Sequence, residues 1–301
     1  MKRRLIIISL FLYLFTNSCF SQSCTTIGQN PYSAFPVCGS TNFEQTTVPE
    51  CVNARIKIND CNDGQVYDDQ NPFWYKFTCF SNGTLGFLIV PKTITDDYDW
   101  QVFDITGHDP SEVYTDPSLR ISSNWSGRTG STGASSQGIH LFECASSASN
   151  DPSPFSSMPG LIQGHNYLLM ISHYKPDNQS GYNLSFQGGT AVITDPTIPS
   201  IQSAYAVCDG TEIVVKLGKK MKCSSIAKDG SDFIVNGPVP ISVVSASGNG
   251  CTTGFDMDSV TLKLNRILSP GTYTVTSKLG TDGNTLLDNC NNSLSTGLQD
   301  R

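Results

Sequence analysis

The run Asp96-Asp97-Tyr98-Asp99-Trp100 crowds three carboxylates into four residues. Like charges that close repel one another unless water or a cation lies between them. Hard oxygen donors at this density suit Ca²⁺, which takes about six to eight oxygens. Asp96, Asp97 and Asp99 are therefore candidate ligands of a structural Ca²⁺. Asp104, the run Asp60-Cys61-Asn62-Asp63-Gly64 and the pair Asp68-Asp69 could add donors in space. None of these runs has the D-x-[DN]-x-[DN]-G spacing of an EF-hand loop. The competing reading is a polar loop in which one inward Asp caps backbone N–H groups.

Aromatic faces are the second chemical feature. Trp74 and Trp100 fall within strand-like patterns and are expected in a core. Trp125 lies in Ser118–Gly138, a stretch dominated by Ser, Gly and Thr that reads as a long loop across one end of a sandwich. Long loops often carry binding residues, so Trp125 is the candidate exposed ligand contact, suited to stacking on a sugar ring.

Patterns of the strong catalytic kind are missing from the sequence. There is no G-x-S-x-G elbow, no phosphate-binding G-x-x-x-x-G-K-[ST], no H-E-x-x-H and no G-x-G-x-x-G. His108, His140, His165 and His173 stand in unrelated contexts, and no glutamate sits where a raised pKa would be expected. A triad or carboxylate pair assembled only in space leaves no trace at this level. The reading is non-catalytic.

The elements that must position these residues are strands. Phe73, Tyr75, Phe77 and Cys79 alternate with Trp74, Lys76 and Thr78. The same period of two recurs over Leu85–Ile89, Tyr167–Ile171 and Tyr182–Phe186, with Gly, Pro, Asn and Asp between. Further strands are expected at Glu212–Leu217, Ile241–Ala246, Val260–Leu264 and Tyr273–Lys278. No stretch of a dozen residues after the leader shows helical spacing, so the class is all-β. The stiff segment Asp195-Pro196-Thr197-Ile198-Pro199 marks a linker over 191–203. It divides a jelly-roll-like β-sandwich (22–190) from a smaller Ig-like β-sandwich (204–292), with 293–301 read as a disordered tail.

Lys2, Arg3 and Arg4 precede an apolar run from Leu5 to Thr16 and small residues up to Ser21. This order marks residues 1–21 as a secretory signal peptide, the apolar run being shorter than the roughly 20 residues that span a bilayer. The chain holds 11 cysteines. Removing Cys19 with the leader leaves six in the first block and four in the second, as expected if bridges stay within modules. The counts leave connectivity open; the preferred pairs are Cys79–Cys144, Cys208–Cys290 and Cys223–Cys251. No C-x-x-C occurs, which argues against zinc and thioredoxin-like sites. Removing Lys2, Arg3 and Arg4 from 19 basic residues leaves 16 against 26 acidic ones, a net charge of −10. That balance disfavours nucleic acid and anionic membranes as partners.

Several stretches carry a family resemblance. Pro72–Thr78, Thr84-Leu85-Gly86-Phe87, Asp97–Asp104, Ser126–Gly130 and Ser180–Phe186 resemble the N-terminal modules of large secreted Bacteroidetes proteins. Those proteins end in a gliding-motility-associated C-terminal domain, the sorting signal of type IX secretion. The first module also resembles the jelly-roll domains that follow bacterial peptidases, and that likeness implies a calcium role for Asp97 and Asp99. Gly271–Thr276 and Thr281–Asp288 are similar to the late strand and turn of bacterial Ig-like domains of the surface-layer type. Nothing after Asn292 resembles a sorting domain, which leaves open a released protein or the front of a larger surface protein. The expected function is a secreted or cell-surface, non-catalytic adhesion or scaffold protein with an extracellular glycan or protein ligand. The alternative is a carbohydrate-binding module pair accessory to a secreted hydrolase.

Overall fold

A computed structural model describes residues 23–39, 42–56, 61, 67–145, 151–173, 180–296 and 299–300. The leader residues 1–21 lie outside the described residues, as do Asp60, Asn62, Asp63 and Gly64. The fold is all-β, with no helix of seven residues or more among the described residues.

Two sheets build the first sandwich. The larger runs Phe35–Pro36, Asp68–Thr78, Asn166–His173, Tyr98–Asp104, Arg120–Asn124, Phe142–Glu143, with Val52–Arg55 paired to the far end of Asp68–Thr78. The smaller runs Phe155–Ser156, Thr132–Ala134, Phe87–Pro91, Ser180–Phe186, Asn42–Thr47. Alternate residues of the expected strands meet between the sheets: Phe73, Tyr75 and Phe77 face Phe87, Ile89, Tyr182 and Leu184, with Tyr98, Trp100 and Val102 beside them. The Tyr75 and Tyr182 hydroxyls meet at 2.9 Å across this core, pairing two polar atoms that would otherwise be stranded there.

Period-two alternation should leave the second face of the larger sheet to solvent. Instead that face carries its own apolar cover. Trp74, Phe103, Leu168 and Met170 pack under Ala34, Ile56, Tyr67, Val113, Leu119 and Trp125. Short 3₁₀ turns at Pro110–Tyr114 and Pro117–Leu119, each opened by a capping Asp and a Pro, bring Val113 and Leu119 down onto the sheet. The central strands are consequently buried along both faces, as in sheets covered on two sides.

The second sandwich stacks Ile201–Ala206, Glu212–Lys222, Asp256–Leu264 and Val243–Gly248 against Phe233–Asn236, Thr274–Ser277 and Gln299–Asp300. Ile213, Val215, Leu217, Met257, Val260, Leu262 and Val275 fill it.

Four expectations are corrected here. Ser118–Gly138 is not a single loop, because it contains the strands Arg120–Asn124 and Thr132–Ala134. Ser122, Ser123 and Thr132 are buried there; small hydroxyl residues fit a crowded sheet as well as a loop. The residues read as the start of a disordered tail are packed: Leu294 is buried in the second core, its N–H donating to the Leu286 carbonyl at 2.7 Å. The linker is shorter than 191–203, since Ile193 belongs to the first core and Ile201 opens a strand. Finally, bridges do not stay within modules. The structure forms Cys24–Cys51, Cys38–Cys290, Cys61–Cys144 and Cys223–Cys251. Cys223–Cys251 is the pair expected. Cys144 bonds Cys61 and not Cys79, whose thiol points into the first core and donates to the Ser81 carbonyl at 3.1 Å. Cys290 bonds Cys38 and not Cys208, which is left as an exposed thiol.

Candidate functional site

The Cys38–Cys290 bridge marks where the two modules meet. Cys290 sits in the turn Asp288–Asn292, which Asp288 organises. Its Oδ1 accepts from the N–H groups of Cys290 and Asn292, both at 2.8 Å, and Asn291 takes a left-handed φ of 67° to close the turn. Lys219 then ties this turn to the connecting segment. Its ammonium donates to Asp288 Oδ2 at 2.8 Å and to the carbonyls of Asp195 and Thr197, with the Asp195 carboxylate at 3.4 Å. The Lys219 side chain is only 5% exposed and that of Asp288 0%. Burial pushes the Asp288 carboxyl up, but the hydrogen bonds from Lys219, Asn292 and Cys290 outweigh it and hold the group below its ordinary value.

A second contact lies across the joint. Lys76, on the outer face of Asp68–Thr78, reaches Asp256 of the second module at 3.0 Å. Phe255 packs edge-on against Phe35, with ring centroids 4.8 Å apart. Beside the Lys76–Asp256 pair runs a groove of about 480 Å³, lined by Tyr32, Lys76, His108 and Asn166 from one module and Lys220 and Asn289 from the other. That volume is in the range of small-ligand sites. The Asn289 side-chain carbonyl is buried in the wall without a hydrogen-bond partner among the described residues. Each lysine of the groove faces a carboxylate, Lys76 with Asp256, Lys219 with Asp288 and Lys220 with Asp258. With Asp195 a second carboxylate beside Lys219, no lysine of the groove is left unpaired, and the site suits a ligand rich in hydroxyls or amides more than a strong anion.

No family model matches the chain, and no curated protein matches it.

The residues singled out from sequence lie elsewhere. Trp125 is not an exposed platform. It is 6% exposed, edge-on to Tyr67 with ring centroids 4.9 Å apart, within the outer cover of the larger sheet. Neither face of the indole is open to a sugar. Trp125→Ala should therefore cost about 3 kcal/mol of folding stability, as large-to-small changes in cores do, measured by urea denaturation. A loss below about 0.5 kcal/mol would contradict this placement.

The three aspartates divide. The Asp96 carboxylate accepts from the Ser180 hydroxyl on the opposite sheet, and the three do not bring their oxygens within 4.8 Å of one another. Asp97 and Asp99 interact: Asp99 projects from the outer face at the start of Tyr98–Asp104, and Asp97 immediately precedes that strand. Asp99 is 2% exposed and stands in register with Ser172, whose fully buried hydroxyl has no partner among the described residues. Burial first, and then the neighbouring Asp97, push the Asp99 carboxyl well above its ordinary value. Asp69 is engaged already, accepting from the Tyr114 hydroxyl at 3.0 Å.

The groove itself left one signal in the sequence. Ile213, Val215, Leu217, Lys219 and Met221 occupy one phase of a single strand. A lysine in the inward phase needs a buried acidic partner.

Proposed function

We propose that this chain is an exported, non-catalytic adhesion or scaffold protein whose two modules act as one rigid unit. Its extracellular ligand, a glycan or a protein segment, lies in the groove between them. The observation that carries this reading is the groove of about 480 Å³ at a joint closed by the Cys38–Cys290 bridge. A joint fixed in this way presents a preorganised site and loses little entropy on binding. Four bridges favour an oxidising compartment, and no helix among the described residues is long and apolar enough to cross a membrane.

The test is binding of the labelled mature protein to glycan and extracellular-protein arrays, alongside a Tyr32→Ala/Lys220→Glu double variant. Both side chains are exposed at the rim of the groove, so the variant should fold. Retained binding by the variant would place the ligand elsewhere. Progressive release of array-bound material with product formation would make the protein an enzyme.

We further propose that a structural Ca²⁺ rests on Asp97 and Asp99, supported by the buried Asp99 carboxylate and the Ser172 hydroxyl facing it. These supply only part of the oxygen set that Ca²⁺ requires. A carboxyl with a raised folded pKa binds its proton more tightly when folded, so without a cation it costs stability as pH rises past about 4. In chelator at neutral pH, Asp99→Asn should accordingly be more stable than the wild type by about 1–3 kcal/mol. The gap should close as the pH is lowered through the carboxylate range. His173, whose pKa burial lowers to about 4 against a weaker opposing bond from Ser180, loses stability on acidification in both proteins and drops out of the difference. Added Ca²⁺ should raise the melting temperature of the wild type and leave Asp99→Asn unmoved. Identical wild-type melts with Ca²⁺ and with chelator would remove the cation from the site.

A further inference from the structure

The rim of the groove holds a second cluster that neither proposal uses. His108 lines the groove and opens a short stretch in which Glu112 and Asp116 follow at intervals of four residues. Two consecutive 3₁₀ turns bring them together. Asp109 caps the first turn through the Ser111 N–H, and Glu112 Oε1 accepts in return from the Asp109 N–H at 3.0 Å. This reciprocal cap fixes Glu112 and leaves its Oε2 at 2.8 Å from His108 Nδ1. Asp116 caps the second turn, its Oδ1 accepting from the Ser118 N–H at 2.9 Å and the Ser118 hydroxyl at 2.6 Å. Ligand atoms of all three residues lie within 4.8 Å of one another, the one such group of His, Cys, Asp or Glu among the described residues.

We infer that His108, Glu112 and Asp116 hold one divalent transition-metal ion of the Zn²⁺ class at the mouth of the inter-module groove. Three features support this. The donor set of one imidazole and two carboxylates suits Zn²⁺ and its neighbours, whereas Ca²⁺ and Mg²⁺ take oxygens alone. Both carboxylates are held by backbone N–H groups, the outer-shell anchoring that orients metal ligands and limits the entropy lost on binding. The His108 and Glu112 side chains are 40% and 42% exposed, so they can close to the roughly 2.0–2.2 Å that Zn²⁺ requires. Independently of the cluster, the adjoining cavity gives a ligand room to approach an ion held there. In the competing state a proton takes the ion's place between His108 and Glu112.

The experiment is calorimetric titration of the metal-stripped mature chain with ZnCl₂, repeated on His108→Ala, Asp116→Asn and Cys208→Ser, with a Ca²⁺ competition arm. One ion per chain is expected. His108→Ala and Asp116→Asn should each weaken binding on the order of tenfold or more. Cys208→Ser and excess Ca²⁺ should leave it unchanged. Asp116→Asn keeps a capping oxygen and His108 is half exposed, so both variants should melt at the wild-type temperature without metal. The Zn²⁺-induced rise in that temperature gives a second readout. Absence of saturable Zn²⁺ binding, or binding that survives both ligand variants, overturns the assignment. So does binding lost in Cys208→Ser, which would trace the ion to the exposed thiol, or binding displaced by Ca²⁺.

Discussion

Replacing Cys38 and Cys290 together by serine should destabilise the protein by about 4–5 kcal/mol and divide its unfolding into two transitions. The bridge spans 252 residues, against 27 for Cys24–Cys51 and 28 for Cys223–Cys251. In the chain-entropy account a cross-link stabilises by restricting the unfolded chain, and the effect grows with the logarithm of the loop. The long bridge therefore contributes about 2 kcal/mol more than either short one, by that scaling. It is also the sole covalent tie across the joint among the described disulfides. Without it the modules depend on the Lys76–Asp256 pair, the Phe35–Phe255 contact and the Lys219 network. Guanidinium unfolding under non-oxidising conditions, followed by both tryptophan fluorescence and far-UV circular dichroism, reports the result. All three tryptophans belong to the first module, whereas strands of both modules contribute to the dichroism, so the two signals separate if the modules do. A single coincident transition shifted by less than about 1 kcal/mol would mean that non-covalent contacts alone hold the joint.

The strands were legible because their side chains obey a period of two. Phe73, Tyr75 and Phe77, or Tyr167, Leu169 and Ile171, announce both the element and its inward face. What could not be read is what covers the opposite face. Trp74, Phe103, Leu168 and Met170 occupy positions that alternation assigns to solvent, and only the return of distant turns shows that they are buried. Trp125 was misplaced for a related reason, because its neighbours Ser122, Ser123 and Ser126 are polar yet buried. The bridges obeyed no local rule. Even counts on either side of the linker suggested closed modules, while two thiols, Cys79 and Cys208, remain unpaired and one bridge crosses the joint. The acidic run around Asp97 was visible, but not that Asp96 would turn toward Ser180 in one sheet while Asp99 faces the other side. The cluster of His108, Glu112 and Asp116 was hidden by its spacing. Intervals of four suggest a helix, yet here two capped 3₁₀ turns gather the side chains.

Lys219→Met should cost about 3–5 kcal/mol at neutral pH, the usual penalty for removing one partner of a buried ion pair. The expectation rests on what the substitution leaves behind. Asp288 is 0% exposed and also organises the turn that carries Cys290, so it cannot swing out to water without undoing that turn. Methionine fills much of the same volume, and the loss would report the stranded carboxylate more than a cavity. The pH dependence tests this directly. In the wild type the folded Asp288 carboxyl lies below its ordinary value, so its contribution to stability is present above about pH 4 and fades as the pH falls through the folded pKa. Without the ammonium, burial dominates and the folded pKa of Asp288 rises. The variant then loses stability as the pH climbs from acid to neutral and regains it when Asp288 is protonated. The difference between the two proteins should therefore be largest near pH 7 and shrink toward pH 3. A penalty that stayed constant across that range would point to lost packing. A penalty confined to neutral pH would show that Lys219 neutralises a carboxylate on which the joint between the two modules, and hence the groove, depends.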